Sequence, residues 1–275
     1  MWKTLKTGFY QTFILNNNYM YFVQGIGITL LTTVLALLIG LALGIIVALV
    51  RSAHDQQQAK HRNPVLGFFN VLANIYLTVI RGTPAMVQLL IMWFVIWASA
   101  RSTTQNMVMC AVMTFGINSG AYVAEIIRSG IMSIDAGQME AGRSLGLSYA
   151  TTMKCVIIPQ AFKNVLPALG NELITLLKET SIVTVIGLKD LTKGAMIIQG
   201  KTYQAIVPFL AIAAIYLAMV MILTTVLGRL ERRMRKNDQR SESDKVFWRS
   251  CRSPRYHRAY CCRGKGGYHR TFGFR

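Results

Sequence analysis

Four uncharged runs, residues 22–50, 82–100, 107–124 and 202–228, set the terms on which this chain can fold. About 20 apolar residues are needed to cross a hydrocarbon core, and a helix lying in lipid satisfies its own backbone. The runs therefore predict an all-α polytopic membrane protein. Only 15% of its 275 residues are charged and 53% are hydrophobic, with a mean hydropathy of +0.39; soluble domains carry about 25% charged residues. The first run is 29 residues long, against the roughly 7–15 of a signal-peptide core, so it reads as a retained membrane helix.

A net charge of +19 would ordinarily raise nucleic acid as a partner, but its distribution argues otherwise. Fifteen of the 30 lysines and arginines lie from Arg229 onward, after the last apolar run. Residues 245–275 carry nine basic residues, no acid and three of the five cysteines, Cys251, Cys261 and Cys262. Adjacent cysteines and scattered histidines fit no metal-ligand spacing, so no metal is expected. Residues 237–275 read as a basic tail, disordered or produced by a shifted reading frame. Cys110 and Cys155 read as helix-packing residues.

Along the chain the expectation is five spans. Helices are placed at about 22–50, 85–100, 107–127, 157–177 and 203–228. The stretch 64–80 reads as a peripheral helix, separated from the next span by the break Arg81-Gly82-Thr83-Pro84. Residues 178–201 are too short and mixed to span. Short loops sharing one side with 51–63, 128–163 and 229–236 hold twelve basic residues, against seven on the other side. The excess of Lys and Arg marks the cytoplasmic face, which puts the N-terminal segment 1–21 outside and the C-terminus in the cytoplasm.

The stretch "EAGRSLGLSYATTMKCVIIPQA" (140–161) then faces the cytoplasm. Residues 136–145 have helix-forming character, and Gly146 can end that helix. Ser148 can cap a second helix from Tyr149, and Pro159 bends the chain where it returns to the membrane. Leu145, Leu147 and Tyr149 form an apolar ridge near the turn, flanked by Glu140 and Arg143. Such a ridge suits a docking partner; an ordinary connecting loop is the plainer alternative.

Glu140-Ala141-Gly142, Gly146, Val156 and Ile158-Pro159 resemble, in spacing, the EAA loop of ABC-importer permeases, with Gly142 in place of the second alanine. "VIRGTPAMVQL" (79–89), "NSGAYVAEIIRSGI" (118–131) and "GNELITLLKETSIVTVIGLKDL" (170–191) resemble the signature segments of the polar amino-acid branch. The likeness covers about residues 20–235. It implies a type I importer permease fold over 22–236 in a bacterial inner membrane, with a cytoplasmic coupling helix in 136–160. Glu140, Ala141, Gly142, Arg143, Leu145, Gly146 and Pro159 would then meet an ATP-binding subunit. The further partners implied are a second permease subunit, identical or paralogous, an extracytoplasmic solute-binding protein, and membrane lipid. No cofactor belongs to this chain and it is not itself an enzyme: ATP would be bound by the partner. "GAMIIQGKT" (194–202) falls one residue off the P-loop spacing.

For substrate, Glu172 stands deep in its span, where a carboxylate is costly and marks a pathway. Asn118, Ser119 and Tyr122 can share one broad helix face beside it, offering groups for the ammonium of an amino acid or a cationic side chain. Glu125 reads as an ion-pair partner of Arg128 three residues on, and Arg81 as an interfacial anchor. A methionine or inorganic-ion permease of the same class is the nearest alternative. An autonomous secondary transporter is the next, although no inverted repeat is evident.

Overall fold

The computed structural model describes residues 8–14, 17–55 and 63–251, with side chains to Met234. Every regular element among the described residues is helical. After a π-helical turn at Tyr10–Ile14 come α1 (Tyr19–Asp55), α2 (Pro64–Gly82), α3 (Ala85–Ile91, prolonged by a π turn Met92–Ile96) and α4 (Thr104–Met132). A polar link follows, with α5 (Ala136–Ser144), α6 (Tyr149–Thr152) and a π turn Met153–Ile157. It leads to α7 (Ile158–Glu179), a 3₁₀ segment Thr180–Ile186, α8 (Leu191–Thr202) and α9 (Ile206–Cys251). Contacts group Met1–Leu227 into one unit and Gly228–Arg275 into another. In the second, α9 continues as helix to Cys251, inside the segment set apart by composition; residues 252–275 lie outside the described residues.

The seam of the first unit is α1 against α4. In lipid there is little hydrophobic drive between helices, so association relies on close packing of small residues. α1 buries Gly25, Thr29, Thr33, Ala36, Gly40, Gly44 and Ala48, a stripe of small residues at steps of three and four. Its opposite face exposes Leu31, Leu38, Ile45 and Leu49. The approach is tight: a Cβ at Gly44 would stand 2.7 Å from Val123 Cβ, and one at Gly25 would stand 2.6 Å from Leu191 Cα. α4 is the most enclosed of the long helices, whereas α2 and α9 turn most of their surface outward. Phe115, Leu89, Leu176, Val183 and Leu188 form one core cluster, and Phe22, Leu191, Ala195 and Ile198 another.

Local signals account for the helix ends. Asn63 caps α2 by accepting from the Val65 N–H at 3.0 Å, and Pro64 follows in the first turn, where no N–H is missed. Thr103 caps α4. Thr83, held extended by the following proline, separates α2 from α3.

The structure reverses one expectation. Four helices among the described residues, α1, α2, α4 and α9, are long and apolar enough to cross a membrane. Thus α2, at 19 residues and about 28 Å, has the dimensions of a span rather than of a peripheral helix. Helix α3 with its π turn covers only residues 85–96, roughly 18 Å of a core about 30 Å thick. The cleaner hydropathy of 85–100 hid its shortness, and Asn70, Asn74 and Tyr76 lowered the signal of α2. α7 is long enough at 22 residues, but Lys163, Asn164, Asn171 and Glu172 make it polar.

Candidate functional site

Two places carry polar groups that packing alone does not require: the middle of α4 with its neighbours, and the projecting link.

At the first, the Ser119 hydroxyl donates to Glu172 Oε1 at 2.8 Å. Ser119 is fully buried against Gly40 of α1, and Glu172 is half-buried, about 21 Å along α7 from Ile158. Serine is the side chain that fits there, because the α1–α4 seam leaves room for little beyond a Cβ. α7 contains Pro167; it removes one backbone bond below Glu172, a loss that membrane helices tolerate where neighbours compensate.

Asn118 and Tyr122 do not join that pair. Asn118 donates to Gln88 Oε1 at 3.0 Å, and the Tyr122 ring lies under the Arg81 guanidinium, 5.6 Å from its centroid. Glu125 completes the stripe. It pairs with Arg51 of α1 through a short contact and approaches Arg81 at 3.9 Å. Residues 118, 122 and 125, at steps of four and three, therefore lie on one face of α4 and fasten the α2–α3 corner to it. The expected Glu125–Arg128 pair is not formed. Arg128 instead reaches Asp55 at 3.1 Å, because helix twist turns Arg128 toward the end of α1.

Gln88 was not singled out from sequence, yet it is the centre of this corner. Its amide is shared among Ile80 O at 2.8 Å, Thr83 O at 3.1 Å and Thr83 Oγ1 at 2.8 Å. Its only sequence signal is position: a lone amide one turn inside the helix that follows a proline break.

A third polar node lies outside the spans. Asp190 caps α8, accepting from the Thr192 and Lys193 N–H groups at 3.0 and 2.9 Å and from the Thr184 hydroxyl at 2.6 Å. It is fully buried, and that burial pushes its carboxyl above the ordinary value despite these donors. The stretch 194–202 is the body of α8, so its glycines form helix rather than a phosphate-cradling loop.

At the second place, Asp135 caps α5 by accepting from the Gly137 N–H at 2.8 Å. The helix closes with Gly146 at φ +78°, the left-handed region where glycine is at ease, and the Leu147 N–H returns to Gly142 O at 3.1 Å. Ser148 caps α6, accepting from the Thr151 N–H at 3.2 Å. Pro159 falls in the first turn of α7. The chain therefore returns in helical geometry, and the irregularity sits upstream in the π turn 153–157. Glu140, Ala141, Arg143, Leu145 and Gly146 are all exposed, Leu145 at 81%. Gly142 is the exception. It is buried against Thr152, where even one methyl group would collide. That contact explains why glycine stands where the resembled motif has alanine.

Long apolar helices seamed by small residues, one of them interrupted by a polar corner, and a stiff hairpin projecting an apolar tip define an integral membrane component built to engage something outside itself. Residues 64–236 match the family described as binding-protein-dependent transport system inner membrane component, and the chain belongs to that family. It is 39% identical over 218 residues to the arginine transport system permease protein ArtQ of Bacillus subtilis, covering 79% of this chain and 94% of that one. It is 36% identical over 215 residues to a putative glutamine transport system permease protein GlnP of Rickettsia typhi, covering 78% and 93%. A crystal structure of an amino acid ABC transporter with histidines superposes with a TM-score of 0.68 at 44% identity, covering 78% of this chain and 94% of that one. The chain is thus a permease of the ABC-importer type. The autonomous-transporter reading is not favoured.

Proposed function

We propose that the chain forms, with a second permease subunit, the translocation path of an importer for polar amino acids. ATP is hydrolysed by separate subunits on the side of the 136–157 link, and an extracytoplasmic binding protein delivers substrate to the opposite side. The observation that carries this reading is the capped hairpin with Leu145 at its tip. Leu145, Leu147 and Tyr149 are exposed together at this turn, and a contiguous exposed apolar patch of this kind supports a docking role. A helix fixed by caps at both ends passes on a partner's displacement instead of absorbing it. The names of the two relatives, arginine and glutamine transport permeases, support an amino-acid substrate with a polar or cationic side chain.

In this reading Glu172 receives an ammonium or guanidinium group as substrate passes, and Ser119 fixes the carboxylate's rotamer. Asn118 and Tyr122 act indirectly, by holding the α2–α3 corner. ATP binding then shifts the population between outward-open and inward-open states through their different affinities for the docked subunits. The Lys and Arg excess of its side supports a cytoplasmic position for the link.

The test is recovery of an ATP-binding subunit with tagged permease from gently solubilised native membranes, comparing wild type with Leu145→Glu and Gly146→Trp. Wild type recovers it; Leu145→Glu, which alters only an exposed side chain, loses it. If no such subunit accompanies the wild type, the reading fails. With coupling established, Glu172→Gln should cut uptake of arginine more than tenfold in reconstituted vesicles; an equal loss for glutamine would assign the shared α-ammonium to Glu172, a loss for arginine alone the guanidinium, and no loss for either would remove Glu172 from substrate contact.

A further inference from the structure

Below Glu172 a cavity of about 490 Å³ opens between α1, α4 and α7. Every lining residue is Ala, Val, Leu, Ile or Phe, among them Ile45 and Leu49 of α1, Ile127 and Ile131 of α4, and Ile158 and Phe162 of α7. A polar amino acid finds no hydrogen-bonding side chain there, so the cavity is separate from the pathway proposed above. Leu49 and Phe162 are more than half exposed at its mouth, and Ile158 is 46% exposed.

Its dimensions select an occupant. Along α7 the lining runs from Ile158 to Leu169, about 17 Å at 1.5 Å per residue, close to one half of a hydrocarbon core about 30 Å thick. The lining is apolar along that whole length. It suits a single hydrocarbon chain, whose carbons meet their neighbours at about 3.5–4.0 Å. One end of the cavity stops a turn short of Glu172. The other lies at the lining residues Leu49, Ile127 and Ile158, next along their helices to Arg51 and to Arg128, which meets Asp55. Lys154 and Lys163 are exposed there, four residues before Ile158 and next to Phe162. With Arg81 counted at Glu125, the charges named here are five basic residues and two acids, Asp55 and Glu125, which pair with the three arginines.

We propose that this groove is a lipid site, holding one acyl chain of an anionic phospholipid from the leaflet on the side of the 136–157 link, with the lysines at its headgroup. Basic groups at that depth are attracted to an anionic surface by an amount equal to about a fivefold preference per residue.

The test uses the full permease in its complex, reconstituted in phosphatidylcholine vesicles. The probes are phospholipids with a photoactivatable group midway along one acyl chain and either a glycerol or a choline headgroup. Mapped adducts should concentrate on residues 41–49, 127–131 and 158–169, in excess over Val95 and Leu217, which are more exposed. The glycerol probe should exceed the choline probe severalfold, and Lys154→Gln alone should reduce that preference about fivefold. Leu49→Trp, a change at an exposed position, should fill the mouth and lower the adducts. Labelling spread in proportion to exposure would overturn the site. Equal labelling by both probes would overturn its anionic ligand. Protection of the groove by the second permease subunit would show that protein, not lipid, occupies it. None of these readouts depends on transport, so the lipid site can fail while the importer reading stands.

Discussion

Adding a single methyl group at Gly142 should loosen the hairpin that the family motif would lead one to consider unaffected. A Cβ there would lie 2.7 Å from Thr152 Oγ1 and 3.1 Å from Thr152 Cβ, and closer still to its methyl. Thr152 cannot simply swing aside: it is fully buried, and its hydroxyl donates to Ser148 O at 3.1 Å. Ordinary contact begins at 3.4 Å, so to clear the Thr152 methyl α5 and α6 must part by about 1 Å, or the side chain must rotate and its hydroxyl give up its acceptor. Overpacking of this kind costs about 1–3 kcal/mol. Gly142 and Thr152 are the buried residues of α5 and α6, so the penalty falls on local opening rather than on the whole membrane domain. Amide exchange over residues 141–152, followed by mass spectrometry in detergent, should accelerate about 5- to 150-fold in Gly142→Ala. Thr152→Ala alone loses one hydrogen bond, and the double variant should be less harmed than the sum of the two. Unchanged exchange in Gly142→Ala, or strict additivity, would refute the reasoning.

Other perturbations address the seam, the corner and the α8 cap. Gly44→Leu should abolish accumulation of folded protein while Gly44→Ala lowers the melting temperature, because Val123 and the Ala124 backbone leave no room; tolerance of leucine would contradict the close approach. Glu125→Gln should destabilise by about 1–3 kcal/mol by leaving Arg51, only 16% exposed, without its carboxylate, whereas Asp55→Asn at the more exposed Arg128 pair should change stability by about 0–1 kcal/mol; equal shifts in melting temperature would show the two pairs to be alike. Asp190 has a folded-state pKa raised by burial, so the protein gains stability as the group protonates and loses it as pH rises from the ordinary aspartate value of 3.8 through the raised one. Asp190→Asn keeps a capping side chain and should flatten the part of the profile that lies above the ordinary aspartate value of 3.8; identical profiles would place the pH dependence elsewhere.

How much of this could be read from the sequence depended on the range of the interaction. The link was legible because its signals are local: Gly146 for a left-handed residue, and Ser148 for a cap three residues before the N–H it accepts. Helix limits at 104–132 and 158–179 fell within a few residues of expectation for the same reason. Ser119 and Glu172, 53 residues apart, were both marked by polarity in a span, and the structure joins them. Asn118 and Tyr122 carried the same mark but belong to a different neighbour, since adjacent residues on a helix diverge by about 100° and sequence does not reveal which helix lies on which side. Glu125 shows the limit most plainly. Arg128 stands at a favourable spacing, yet Arg51, 74 residues away, takes the carboxylate. Spacing also could not show that 64–82 outruns 85–96 as a candidate span, because the shorter piece is the more apolar.

The corner at Gln88 bears on how such a permease can move. With its amide holding Ile80 and Thr83, its carbonyl oxygen held by Asn118, and Arg81 set over Tyr122, the kink between α2 and α3 is welded to α4 at successive turns. A proline break is commonly taken for a hinge; here it is a bracket. Any movement of α2 or α3 at this break must either part these contacts or carry α4 along, and α4 is in turn fastened to α1 by the small-residue seam and by Arg51 on Glu125.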